Sequence, residues 1–144
     1  MATQNLTAGE TRNNHAGAVK AFVVEQVIDF SQTLAASGDV IQAINVQPGW
    51  FVAAVLVETL KAEGAAATAN VGDGALATGF MTAANLNLLG MTKSNLTLTE
   101  AAPNTVTGYT AGKLYTAADT IDLVVSAALD AAKVAVRALV FDLS

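Results

Sequence analysis

From Ala18 to the C-terminus, short runs of β-branched and apolar residues alternate with clusters of Gly, Pro, Asn and Asp. That is the punctuation of strands joined by turns. The first run, Val19 to Phe30, reads two ways. Phe22, Val24, Ile28 and Phe30 share one face at period two, with Gln26 as the exception, while Val19, Phe22, Val23, Gln26, Val27 and Phe30 also fit a helical stripe. The density of β-branched residues favours a strand. Val40 to Val46 is a second run, Gln47-Pro48-Gly49 a turn, and Trp50 to Leu60 a long third run. Pro48 presets φ for that turn, and Gly49 supplies the positive φ of a type II geometry. The third run is apolar on both sides, with Trp50, Val52, Ala54 and Leu56 on one and Phe51, Ala53, Val55 and Val57 on the other. A strand of that kind must be covered twice.

Further along, Thr68 to Val71 ends in the tight turn Gly72-Asp73-Gly74, and Leu76 to Met81 is weakly strand-like. Thr82 to Leu89 predicts either one or two helical turns closed by Gly90 or an irregular loop. Asn95 to Glu100 alternates, and 103–112 is rich in turn residues. Ile121, Leu123 and Val125 alternate with Thr120, Asp122 and Ser126, although Val124 also points outward. The last run, Lys133 to Leu143, places Val134, Val136, Ala138 and Val140 on its inner face. Its outer face begins with Lys133 and Arg137 and ends apolar, with Leu139, Phe141 and Leu143. Ala65 to Ala67 and Ala127 to Ala132 read as loops or strand ends, against alanine's preference for helix over 126–137. The expected fold is all-β: a jelly-roll-like β-sandwich over 18–144 preceded by an extended N-terminal arm over 1–17. The arm is polar, small and aperiodic, with no apolar segment of signal-peptide type.

The chain has 144 residues, enough for one core of ordinary size. Charged residues make up only 13% and hydrophobic ones 53%, against roughly a quarter charged in an average domain. So few charges leave a lone subunit short of polar cover. Seven basic and 12 acidic residues give a net charge of −5, which argues against a nucleic-acid partner, since binding phosphates needs a basic face. The longest charge-free stretches, 40–57 and 74–92, are interrupted by polar and turn residues, so no membrane span is expected. Without cysteine and with His15 as the single histidine, thiolate and multi-histidine metal sites are ruled out.

The remaining candidates for chemistry are weak. Asp119 and Asp122 lie three apart and would face opposite sides of a strand, which excludes a shared metal or an acid–base pair. Asp119 at a strand entry and Asp122 in solvent is the expected arrangement. Asp73 between glycines is turn chemistry before it is a calcium ligand. That turn also lacks the third glycine and following helix of a phosphate loop. His15 sits between Asn14 and Ala16 without a nucleophile motif beside it. No catalytic residue, metal site or cofactor site is expected.

The order of these short pieces is distinctive. Val27-Ile28-Asp29-Phe30-Ser31 is followed by Gly38-Asp39-Val40-Ile41 and by Pro48-Gly49 leading into the long apolar run. Asn70-Val71-Gly72-Asp73-Gly74 then precedes Gly79-Phe80, and the chain closes with Tyr115-Thr116-Ala117-Ala118-Asp119-Thr120-Ile121-Asp122-Leu123 and Phe141-Asp142-Leu143. This arrangement resembles the capsid decoration, or cement, proteins encoded among tailed-bacteriophage head genes. The resemblance implies a homotrimer on the outer capsid surface, made in the cytoplasm of the bacterial host. There it would bind the major capsid protein and hold its lattice against packaged DNA, with no catalytic residue and no cofactor.

The apolar faces nominate Trp50, Phe51, Val55, Val57, Leu139, Phe141 and Leu143 as subunit-interface residues. The arm nominates Asn5, Leu6, Arg12, Asn13 and His15 as capsid contacts. A rival expectation is a carbohydrate-binding sandwich of a phage fibre or tail, in which Trp50 or Tyr109 and Tyr115 would lie exposed together.

Overall fold

A computed structural model describes residues 19–93, 108–109 and 111–144. The N-terminal arm and the alternating run Asn95 to Glu100 lie outside the described residues. Among them the strands are β1 (Lys20–Asp29), β2 (Val40–Val46), β3 (Trp50–Lys61), β4 (Thr68–Gly72), β5 (Met81–Asn85), β6 (Gly90–Lys93), β7 (Lys113–Leu114), β8 (Asp119–Val125) and β9 (Lys133–Asp142). One sheet runs β1-β9-β3-β6, with the short β7 also paired to β3, and the other runs β2-β8-β4-β5. All pairings are antiparallel. Successive strands mostly alternate between the sheets, so the chain wraps around its own core in the manner of a jelly roll.

The strand reading of 19–30 holds, because Phe22, Val24 and Ile28 pack against the core and Phe30 is fully enclosed. On β9 the expected inner residues Val134, Val136, Ala138 and Val140 are all fully buried. They meet Ile121, Leu123 and Val125 of β8 within one hydrophobic cluster shared by both sheets. Gly49 adopts φ +88°, as the Pro48-Gly49 turn requires.

Strand β3 departs from simple alternation. Its register against β9 slips between Val52 and Ala54 and again between Thr59 and Lys61. The extra residue, Ala53, moves the side chains from Ala54 to Thr59 to the face opposite the one simple alternation gives them. Val52 therefore points inward before the bulge, and Val55, Val57 and Thr59 do so after it. This corrects two interface candidates: Val55 and Val57 belong to the subunit's own core. Trp50 also faces inward at the rim of that core, edge-on to Phe22 with ring centres 5.1 Å apart. The inward Thr59 hydroxyl donates to the Asn85 carbonyl at 3.1 Å, linking β3 to β5 across the sandwich.

Further corrections concern local structure. Residues 82–89 form no helical turn; Met81–Asn85 is a strand, bent at Ala83 with φ 53° and held by the Ala83 amide donating to the Asn70 side chain. Leu76 to Phe80 is a turn rather than a strand, because the Asp73 and Gly79 amides both donate to the Leu76 carbonyl. Asp122 is buried, not solvated, and accepts from the Thr120 hydroxyl at 2.6 Å. The alanine-rich stretch 127–132, by contrast, is a loop as expected, not a helix. The Glu63 carboxylate accepts from the amides of Asp130, Ala131 and Ala132 at 2.9, 3.2 and 2.7 Å and holds the backbone in an open turn.

Candidate functional site: an apolar sheet face and a buried ionic cluster

The outward side of the β1-β9-β3 sheet divides into two zones. The register places Ala21, Phe141 and Phe51 in one row, with Leu114 of β7 beyond Phe51. Val23, Leu139 and Ala54 form the next row. Phe51 and Phe141 are tilted neighbours, 6.5 Å between ring centres. Val23 is 58% exposed, Leu114 48% and Leu143 53%, so this end offers water a continuous apolar area. Lone soluble subunits rarely carry such a patch without a partner for it.

The zone below is charged. Arg137 of β9 stands between Glu25 of β1 and Glu58 of β3, with Nε 2.5 Å from one carboxylate and Nη1 2.6 Å from the other. Hydrogen bonds donated to Glu58 and then to Glu25 raise the guanidinium's already high pKa. The ion pairs stitch the three strands together where the apolar zone ends. They also give the face a polar border.

A second feature lies where β4 meets the segment around β7. Asp73 accepts from the amides of Ala75 and Leu76, both at 3.0 Å, as an aspartate opening a turn is expected to. Its carboxylate has further partners, however. Tyr109 and Tyr115 donate hydroxyl hydrogens at 3.0 and 2.9 Å, and the Lys113 ammonium forms an ion pair with it. The ammonium also lies over both tyrosine rings, 4.4 and 4.6 Å from their centres. Burial by itself raises the Asp73 pKa, yet the Lys113, Leu76, Tyr115 and Tyr109 hydrogen bonds together bring it below the ordinary carboxylate value. Burial first, and the adjacent carboxylate second, push the Tyr115 hydroxyl well above its usual range.

Tyr109 reaches the cluster because Gly79 has no side chain. A Cβ there would lie 2.3 Å from the tyrosine ring. The cluster is saturated: every buried side-chain oxygen and nitrogen among the described residues has a partner. The Asp73 carboxylate thereby ties the turn after β4 to the segment around β7.

The sequence candidates divide accordingly. Phe51, Leu139, Phe141 and Leu143 fall on or beside the outer apolar zone, whereas Trp50, Val55 and Val57 do not. Asn5, Leu6, Arg12, Asn13 and His15 lie outside the described residues. The sugar-stacking platform does not form, because Tyr115 is 2% exposed and both tyrosine hydroxyls are engaged by Asp73. Among the described residues no three His, Cys, Asp or Glu side chains gather as a metal site. A depression lined by Lys113 to Asp119 has a volume of about 140 Å³, small beside typical ligand pockets. The Asp73 cluster was invisible in the sequence. Tyr109, Lys113 and Tyr115 share no period with Asp73 and meet it only through the fold.

No protein-family profile matches the chain, and no curated protein is similar to it in sequence. Solved structures are more informative. A chain in the acidic stable capsid structure of Helicobacter pylori bacteriophage KHP30 superposes with a TM-score of 0.59 at 17% identity, covering 86% of this chain and 89% of that one. A chain of the cyanophage Pam1 capsid asymmetric unit gives 0.60 at 16% identity, covering 85% of each. A chain of the Ralstonia phage GP4 capsid gives 0.55 at 12% identity, covering 86% and 84%. The fold is one that phage capsids use.

Proposed function

We propose that this protein is a structural, non-enzymatic component of a phage virion: a decoration, or cement, protein of the head. In this reading it sits on the capsid exterior as a homotrimer and stabilises the lattice of the major capsid protein. The observation that carries the reading is the apolar end of the outer sheet face, centred on Phe51, Leu139 and Phe141, on a fold shared with chains of three phage capsids. Each large side chain moved from water into a contact contributes at most about 1.5–3 kcal/mol before association costs. A few such residues per subunit can therefore drive assembly. The charged zone of Glu25, Arg137 and Glu58 would border the contact and orient it. The net charge of −5 suits an exterior position, because it discourages capture by nucleic acid.

Light scattering during gel filtration tests the trimer, and co-sedimentation with capsids lacking the protein tests attachment. The reading expects a stable assembly of three 14.6 kDa chains that saturates capsid sites. A monomer at micromolar concentration without affinity for capsids overturns it.

A further inference from the structure

The free edge of β1 differs from every other sheet edge among the described residues. Edge strands usually carry protection against pairing with foreign strands, by being short, bulged, charged or interrupted by proline. Here β6 has 4 residues, β7 has 2, β2 is broken by a register slip between Gln42 and Ile44, and β5 is short and bent at Ala83. By contrast β1 has 10 residues, pairs with β9 in unbroken register and contains no proline. Its outward side presents Val23 and Val27 at 58% and 40% exposure, with Val19, just before the strand, at 53%.

The backbone direction is also determined. The Phe30 amide donates to Ala132 in line with the β1–β9 register, so even-numbered residues point their backbone groups at β9. Odd-numbered residues, 19 to 27, then direct N–H and C=O to the open edge. Two details agree. The Asp29 carbonyl accepts from the Gln32 and Thr33 amides beyond the strand, and the Val27 carbonyl accepts from its neighbour's side chain, Gln26 Nε2, at 3.2 Å.

We infer that the β1 edge is a two-fold seam with a second copy of this chain, formed by antiparallel pairing centred on Val23. The sequence is self-complementary in that register. Val23 faces Val23 of the second copy, and Val19 faces Val27, so each exposed valine meets a valine. Glu25 faces Ala21, and no like charges stand opposite one another. Moving the centre to Glu25 opposes two glutamates, and moving it to Val24 sets Val23 against Glu25; both are unfavourable pairings. A two-fold axis normal to the sheet leaves both outer apolar faces on the same side, joined into one wider surface. Val23 also lies at the border of the apolar zone proposed for the trimer, so a trimer that closes this seam as well is larger than three chains; the pairing of the edge is read by its own crosslinking and does not depend on the trimer forming.

The chain has no cysteine, so Val23→Cys can be crosslinked alone in the full-length protein. A short bis-maleimide should convert it to a covalent dimer roughly tenfold faster or more than Leu88→Cys, through high local concentration, although Leu88 is the more exposed at 67%. Adding Ala21→Pro removes an N–H that faces the open edge and spares the β9 ladder; it should return the rate to that of Leu88→Cys. Equal rates for Val23→Cys and Leu88→Cys overturn the seam, as does a fast rate indifferent to Ala21→Pro. Should Ala21→Pro fail to fold, deuterium exchange at the Val23 amide decides. Protection that falls on dilution supports a second copy, and protection independent of concentration means that the chain's own segments cover the edge.

Discussion

Replacing Asp73 by alanine removes the acceptor that the cluster is built around. The substitution leaves the Lys113 ammonium, 21% exposed, without its carboxylate, and strips the Tyr109 and Tyr115 hydroxyls and the Ala75 and Leu76 amides of their acceptor. Removing one partner of a buried ion pair costs about 3–5 kcal/mol. Because Lys113 retains some access to water, the lower end is expected, near 3 kcal/mol. That corresponds to a fall of roughly 10 °C in melting temperature for a domain of this size. Asp73→Asn keeps an acceptor for the turn amides and should cost about 1–2 kcal/mol, and Tyr115→Phe about 1 kcal/mol. Removing both charges in Asp73→Ala/Lys113→Met should recover part of the loss, since no unpaired charge then remains.

Urea unfolding at constant m-value measures each change. The pH dependence supplies an independent check. The folded-state pKa of Asp73 lies below its unfolded value of 3.8, so its charge stabilises the protein fully above that value. This contribution disappears as pH falls through the depressed folded pKa. The gap between the natural protein and Asp73→Asn should therefore be constant from about pH 7 to 5 and close only below about pH 4. A loss under about 1 kcal/mol for Asp73→Ala, or a gap that widens on acidification, refutes the role assigned to the cluster.

Other substitutions probe the remaining parts. Phe141→Asp should abolish the assembly seen by light scattering while costing the subunit only about 1–2 kcal/mol, chiefly the contact with Phe51; normal assembly would place the interface elsewhere. Glu63→Ala should destabilise by about 1–2 kcal/mol in urea, because three turn amides lose their acceptor, with Glu63→Gln milder. Burial holds the Asp122 pKa up, so its ionised form opposes folding. Asp122→Asn should raise the melting temperature at pH 7, with the gain shrinking toward acid as Asp122 takes up its proton. Deleting residues 1–15 should leave assembly intact and weaken capsid co-sedimentation, and unchanged occupancy would remove the arm from the contact.

Much of this architecture could be read along the chain. Period-two alternation on 133–143 set the inner and outer faces of β9 correctly, because that strand is regular along its whole length. The same alternation marked the outer apolar end at Leu139, Phe141 and Leu143, and the Pro48-Gly49 signal located its turn. These are local properties: a pleated strand sends alternate side chains to opposite faces whatever lies around it.

Tertiary structure alone decided the rest. One extra residue at Ala53 moved Val55 and Val57 from the expected interface into the core, and a bulge depends on the partner strand rather than on the bulged sequence. Asp73 looked like an ordinary turn residue until the wrap of the sheets brought Tyr109, Lys113 and Tyr115 to it from some forty positions away. That Val19, Val23 and Val27 lie along an open edge is likewise a matter of strand order. The spacing was in the sequence, but only the position of β1 at the end of its sheet leaves their backbone groups facing outward.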